Sequence, residues 1–81
     1  MKLFLLTQTD NKGYDTYDSC VVCAENEDEA KNIDPNGDPF EPSDSFCCWA
    51  RTLKGIECEY IGEASEGIKK GTVIINSFNA G

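Results

Sequence analysis

The feature that most constrains the fold is a continuous apolar run near the beginning of the chain, KLFLLTQT at residues 2–9. A run of this kind, without strict alternation of apolar and polar residues, is typical of a strand buried on both faces. We therefore predict a central strand over Lys2–Thr9. The next residues, DNKG at 10–13, favour a turn, because Asp and Asn bond to their own backbone and Gly accepts positive φ.

Further strands are predicted from runs of high β propensity and from alternation. The segment Tyr14–Ala24 should form an open hairpin with the first strand. Cys47–Leu53 is predicted as a short strand or extended segment that carries Trp49 in the core. Ile56–Gly62 alternates, which directs its apolar residues to one face, and Thr72–Phe78 is the final strand after a glycine-bounded turn.

One helix is predicted after the second strand. Asn26 is a favourable N-cap and Glu29 stands three residues later, as a capping box requires. Ala30 and Ile33 are the expected buried positions. The helix should end after two to three turns, just before the first proline of Asp34–Phe46, a segment that we expect to be an irregular loop.

These elements predict an α+β fold with about four antiparallel strands and one short helix in two layers. A small half-open barrel is the alternative. The chain of 81 residues forms one domain, 1–81, because it is too short for a second hydrophobic core.

The charge is strongly asymmetric. The net charge is −8, and residues 13–48 carry ten carboxylates against Lys31 alone, a local charge of −9. Such a field repels nucleic acid and anionic membranes and attracts basic surfaces, although an acidic surface also serves solubility alone. We therefore expect no direct binding of DNA, RNA or membrane by this chain.

Five cysteines and the absence of histidine bear on compartment and metal binding. Only four apolar residues follow Lys2, which is too short a run for a secretion signal. Together with the odd number of cysteines, this predicts free thiols in a reducing cytoplasm. Cys20 and Cys23 have CxxC spacing, but on a strand they would point to opposite faces. Cys47 and Cys48 are adjacent, which is poor spacing for chelation, so the cysteines are expected to be small core residues.

Other site chemistry is weakly represented. Asp34, Asn36 and Asp38 resemble the start of a calcium loop, but the glycine comes early and position twelve is Ser45. The chain has no Ser–His or Cys–His pair and no glycine-rich phosphate loop. We expect neither an enzyme nor a bound metal or cofactor.

The sequence segments MKLFLLTQ, GYDTYDS, VVCAENEDEAKNI and SFNAG resemble a group of small uncharacterised proteins of bacteriophages and prophages. The resemblance covers both ends and most of the chain. It implies a role in disarming bacterial defences, because many small acidic phage proteins do this and anti-CRISPR proteins are the largest such group. Several of those place carboxylates where a defence complex expects nucleic-acid phosphates.

The resulting prediction is an anti-CRISPR-like inhibitor that acts in the cytoplasm of the infected host. It would bind a defence protein with a basic nucleic-acid-binding surface, with a CRISPR effector as the leading candidate, as a partial nucleic-acid mimic. The candidate contacts combine carboxylates with two tyrosines as anchors: Tyr14, Asp15, Tyr17, Asp18, Glu25, Glu27, Asp28, Asp34, Asp38, Glu41 and Asp44. The alternatives are a non-inhibitory phage adaptor that binds a host protein through its sheet face, and a cysteine-based metal-binding module.

Overall fold

The fold comes from a computed structural model, which describes residues 1–9, 11, 16–40, 49–50 and 52–79. Its regular elements are four strands, one helix and one 3-10 turn: β1 (Lys2–Gln8), β2 (Thr16–Ala24), α1 (Glu27–Lys31), the 3-10 turn (Leu53–Gly55), β3 (Ile56–Glu63) and β4 (Val73–Asn79). The strands form one antiparallel sheet in the order β3-β1-β2-β4. The predicted four-stranded α+β fold is therefore confirmed, with β1 inside the sheet as expected.

The helix covers one face of the sheet, and the hydrophobic core lies between them. From β1 and β2, the side chains of Phe4, Leu6, Cys20 and Val22 enter this core. Ala30 contributes from the helix, so its predicted burial is confirmed. The expectation that β1 is buried on both faces is wrong, because Leu3 and Leu5 on the opposite face are only half-buried. The described residues form no second layer on that face, where a central strand gains its shielding from its two neighbours.

Trp49 lies in the core and is only 4% exposed, as predicted. Its segment is not a strand, however. Residues 49–50 and 52 have no strand pairing, and the chain turns through a single 3-10 turn at Leu53–Gly55 before β3. Of the two forms predicted for Cys47–Leu53, the strand is wrong for the described residues, whereas Thr52, at φ −137° and ψ 157°, has the extended backbone of the other. Burial of Trp49 and Ala50 holds this segment against the core.

The helix is shorter than predicted. Asn26 is the N-cap: its Oδ1 accepts from the Glu29 N–H at 2.9 Å, and its Nδ2 donates to a Glu29 carboxylate oxygen at 3.3 Å. The helix nevertheless ends at Lys31, three residues before Asp34, because Asn32 takes the C-cap position and donates to the Asp28 carbonyl at 2.7 Å. A capping side chain, and not the proline, ends the helix.

The segment after the helix is a compact turn and not an irregular loop over its described part. Ile33 and Pro39 form an isolated antiparallel bridge, and the Phe40 N–H donates to the Asn32 carbonyl at 2.7 Å. Gly37, at φ +89°, closes the turn by donating its N–H to the Asp34 carbonyl at 2.9 Å. The predicted loop residues 41–46 lie outside the described residues.

Candidate protein-binding surface

Three exposed carboxylates surround the beginning of the helix. Glu25 precedes the N-cap, and Glu27 and Asp28 lie in the first turn, where the helix dipole favours negative charge. None of the three forms an ion pair with a cation in the described ranges. We call Glu25, Glu27 and Asp28 the acidic helix surface.

A fourth carboxylate of the same turn is compensated. Glu29 forms an ion pair with Lys70, at 3.1 Å between carboxylate oxygen and Nζ. Glu29, through its hydrogen bond and its charge, and then Glu25, through its charge, raise the pKa of Lys70. Sequence reasoning missed Lys70, because it lies about 40 residues away on the turn before β4 and only the sheet order brings it to the helix.

The Asp34 carboxylate forms hydrogen bonds with the backbone of its own turn. Its Oδ1 accepts hydrogen bonds from the Asn36 N–H at 2.8 Å and the Asp38 N–H at 3.0 Å. This arrangement is the one in which Asp stabilises a tight turn, so the half-buried Asp34 has a structural role. Asp38 is exposed on the same turn.

Tyr17 and Asp18 are adjacent in β2 but differ in their exposure and contacts. Asp18 is exposed and is the extra residue of a bulge in β2, since Tyr17 pairs with Phe78 and Ser19 pairs with Ser77. The ring of Tyr17 is half-buried, lies 4.8 Å from the Phe78 ring between centroids, and its hydroxyl donates to Asn36 Oδ1 at 3.2 Å. The other candidate contacts, namely Tyr14, Asp15, Glu41 and Asp44, lie outside the described residues.

An exposed aromatic side chain that the sequence analysis did not single out adjoins the acidic helix surface. Tyr60 of β3 is 54% exposed and contacts Phe4 edge to face, at 5.9 Å between centroids. A groove of about 370 Å³ separates it from the helix start and is lined by Lys2, Phe4, Asn26, Glu27 and Tyr60. The alternation of β3, which places Tyr60 and Cys58 on the helix side, was the signal that could have found it.

The Tyr60 hydroxyl is held by an acid of its own strand. It donates to a Glu63 carboxylate oxygen at 2.6 Å, and this hydrogen bond is the main reason that the pKa of Tyr60 is raised. The phenol therefore stays neutral and offers a flat aromatic surface beside the carboxylates.

The cysteines lie as the strand prediction requires. Cys20 pairs with Leu6 and Cys23 pairs with Leu3, which puts the two thiols on opposite faces of the sheet. Burial, with a smaller contribution from the Asp34 charge, raises the pKa of Cys20 to about 12. Across the described ranges, Cys20, Cys23 and Cys58 are free thiols, and no three His, Cys, Asp or Glu residues come together as a metal site. Cys47 and Cys48 lie outside these ranges.

The sheet face opposite the helix carries an apolar row that crosses three strands. Leu5 pairs with Val21, and Val21 pairs with Ile75. On the β3 side of this row the partner of Leu5 is the exposed Glu59. This face is therefore apolar towards β4 and acidic towards β3.

No protein-family model, curated protein or solved structure matches this chain. Its function is therefore argued from the surface chemistry described above. In the part of the chain that the structure describes, no helix has the length and apolar character needed to cross a membrane.

Proposed function

We propose that this domain inhibits a bacterial defence complex by binding a basic, nucleic-acid-contacting surface of that complex, in the manner of anti-CRISPR proteins. The observation that carries the proposal is the acidic helix surface, where three exposed carboxylates form no ion pair with a cation among the described residues. The proposal includes action in the cytoplasm of an infected bacterium, which rests on the resemblance to phage proteins.

Electrostatics supports a basic partner. Surfaces of opposite charge attract over about 10 Å at moderate ionic strength, which raises the association rate and excludes partners of the same sign. The net charge of −8 extends this attraction beyond the helix itself. A defence complex that reads a phosphate backbone presents lysines and arginines at the spacing of phosphates, and carboxylates can occupy the same positions.

Tyr60 supplies the second ingredient of a protein interface. Tyrosine is favoured at interfaces because a rigid ring buries a large area while its hydroxyl stays hydrated or bonded. With Glu27 across the groove and Glu63 on its hydroxyl, Tyr60 would stack well on an arginine side chain of the partner.

The test is a pair of triple variants with the same change in net charge. The first is Glu25→Gln with Glu27→Gln and Asp28→Asn, which neutralises the acidic helix surface. The control is Glu57→Gln with Glu59→Gln and Glu66→Gln, which neutralises three exposed carboxylates on β3 and on the turn after it. Binding to a purified CRISPR effector is measured by calorimetry at roughly 50 and roughly 500 mM salt.

The proposal requires that the wild-type protein binds and that affinity falls as salt rises. It also requires that the helix variant weakens binding by tenfold or more while the control variant changes it by less than about threefold. Equal losses in both variants would show that only net charge matters. Absence of binding to any defence complex would remove the inhibitor proposal altogether.

A second candidate, an adaptor that binds a host protein through the sheet, is favoured by the apolar row of Leu5, Val21 and Ile75. An adaptor of this kind would tolerate the helix variant and lose binding with Leu5→Ser or Val21→Ser. The same binding measurements therefore separate the two candidates.

A further inference from the structure

The two edges of the sheet differ in their charge. The edge strand β3, IECEYIGE, carries Glu57, Glu59 and Glu63. The other edge strand, β4, has the sequence VIINSFN and carries no charged residue. Charged side chains on an edge strand oppose pairing with another sheet, so β3 is protected and β4 is not.

The unprotected edge is also apolar. Ile74, Ile75 and Phe78 are exposed by 44, 64 and 47%. Among the described residues, β4 pairs only with β2, which leaves its outer backbone groups without a strand partner. Exposed β-branched and aromatic side chains on an unpaired strand favour the addition of a further strand.

The direction of the β4 backbone follows from the bonds of Cys23. Its N–H donates to the Thr72 carbonyl at 2.9 Å, and its carbonyl accepts from the Gly71 N–H at 2.8 Å, so Cys23 faces the β4 side. Alternation along the regular β1–β2 register then turns the backbone of Val21 and Ser19 towards their β4 partners, Ile75 and Ser77. The N–H and C=O groups of Asn76 and Phe78 consequently point outwards from the sheet.

The available length is short but regular. Ile74 is the extra residue of a bulge in β4, because Val22 pairs with Val73 and Val21 pairs with Ile75. Bulges interrupt edge pairing, so the segment open to a further strand is 75–79. Five residues match the usual length of a strand, about five or six.

We infer that two copies of this chain pair antiparallel through β4, about a two-fold axis at Ser77 that sets Asn76 opposite Phe78 of the second copy, to form one continuous eight-stranded sheet. The pairing is self-complementary, because a neutral strand meets its own copy without repulsion. An isologous contact of this kind closes on itself and ends at a dimer.

Charge decides between this arrangement and its rivals. Pairing β3 with β4 of another copy would place three carboxylates beside a strand that offers no cation, which is unfavourable. The acidic helix packs over β1, β2 and β3, so pairing through β4 leaves both acidic helix surfaces far from the axis. A net charge of −8 on each copy therefore opposes the dimer less at β4 than at β3.

The test uses charges of both signs at one position. Ser77 is exposed and lies at the axis, so Ser77→Glu and Ser77→Lys each place a charge opposite the same charge in the second copy. Both variants should weaken dimerisation about fivefold or more, regardless of sign. Ser65→Glu and Ser65→Lys, on an exposed turn away from β4, are the matched controls and should have little effect. Sedimentation velocity measures the dissociation constant, and circular dichroism verifies that each variant is folded.

The expected wild-type result is a concentration-dependent mass of twice the 8.9 kDa chain. Hydrogen exchange gives an independent readout: the amides of Asn76 and Phe78 should become protected as the dimer forms, whereas those of Ile75 and Ser77 are protected throughout. A dissociation constant weaker than about 1 mM would overturn the inference. Weakening by Ser77→Glu but not by Ser77→Lys would also overturn it, because that result reports overall charge and not self-pairing.

Discussion

The side-chain amide of Gln8 forms hydrogen bonds with both backbone groups of Asn11, as a residue on a paired strand would. Its Oε1 accepts from the Asn11 N–H at 2.7 Å, and its Nε2 donates to the Asn11 carbonyl at 2.7 Å. The same Nε2 donates to the Tyr17 carbonyl at 2.8 Å, so one buried amide joins the end of β1, the connection and the beginning of β2. Asn11 in turn donates from Nδ2 to the Trp49 carbonyl at 3.2 Å.

Replacing this amide should be among the most destabilising polar substitutions in the chain. Gln8→Leu leaves the backbone groups of Asn11 buried without that partner, and we expect the free energy of unfolding to fall by about 3 kcal/mol. Thr9→Ala, at the next and exposed position, should change it by less than about 0.5 kcal/mol. Urea denaturation measures both. Similar values for the two variants would show that the amide bonds contribute little.

Asp34 should matter for stability and not for partner binding. Asp34→Ala removes the acceptor of the Asn36 and Asp38 amides, and we expect a loss of about 1 to 2 kcal/mol in unfolding free energy. Asp34→Asn retains an acceptor oxygen and should lose less than half as much. Because this carboxylate is directed inwards, Asp34→Asn should leave affinity for the defence complex within about twofold. A large loss of affinity with stability unchanged would place Asp34 in the interface instead.

Lys70 provides a test in which a substitution should improve function. Its ion pair with Glu29 offsets one carboxylate beside the acidic helix surface. Lys70→Gln releases that carboxylate, so a basic partner should bind about twofold to fivefold more tightly at low salt. Lys69→Gln makes the same change in net charge at the neighbouring exposed position and should have a smaller effect. Surface plasmon resonance should locate the difference in the association rate, and equal effects would argue against a local contribution from Glu29.

The raised pKa values of two thiols predict that the folded protein loses stability at alkaline pH. Burial and, second, the charge of Glu27 raise the pKa of Cys58 to about 11, against an ordinary value of 9.0, and the pKa of Cys20 reaches about 12. The folded protein therefore keeps protons that the unfolded chain releases. Stability from this source is complete below pH 9 and falls as the pH rises towards 11 and 12.

Two measurements check this behaviour. Unfolding free energy should decline between pH 9 and 12, and Cys20→Ala should make the decline shallower, although it lowers stability at neutral pH. Alkylation followed by peptide mapping should modify the half-buried Cys58 before Cys20 as the pH increases. Rapid modification of both thiols at neutral pH would contradict the burial described here.

Sequence reasoning succeeded where local pattern and tertiary packing agree. β1, β2, β3 and β4 follow apolar runs or alternation, and the Asn26 cap follows from a side chain that bonds its own backbone. It failed where a capping side chain ends an element early, as at Asn32, which is the C-cap and ends the helix before Pro35. Around Trp49 the predicted burial is confirmed, but the strand alternative for this segment failed, because burial and not strand pairing holds its described residues.

The candidate surface was predicted only in part, because a list of carboxylates does not show where each one is directed. Glu27 and Asp28 are exposed at the helix start, whereas the Asp34 carboxylate accepts a backbone hydrogen bond within its own turn. Lys70 and Tyr60 reach the helix only through the sheet order, in which distant segments become neighbours. Pairings of this range leave no mark in a local window of sequence.

The position of β1 inside the sheet has a consequence for synthesis. β1 and β2 leave the ribosome early and can close as a hairpin, but the other side of β1 waits for β3, whose residues Ile56–Glu63 are translated much later. During that interval β1, which carries Leu3, Phe4, Leu5 and Leu6, has one edge without a strand partner, and nascent chains stalled before Glu63 would be prone to aggregate. Slowing translation between Ala24 and Ile56 is therefore expected to increase aggregation of the nascent chain.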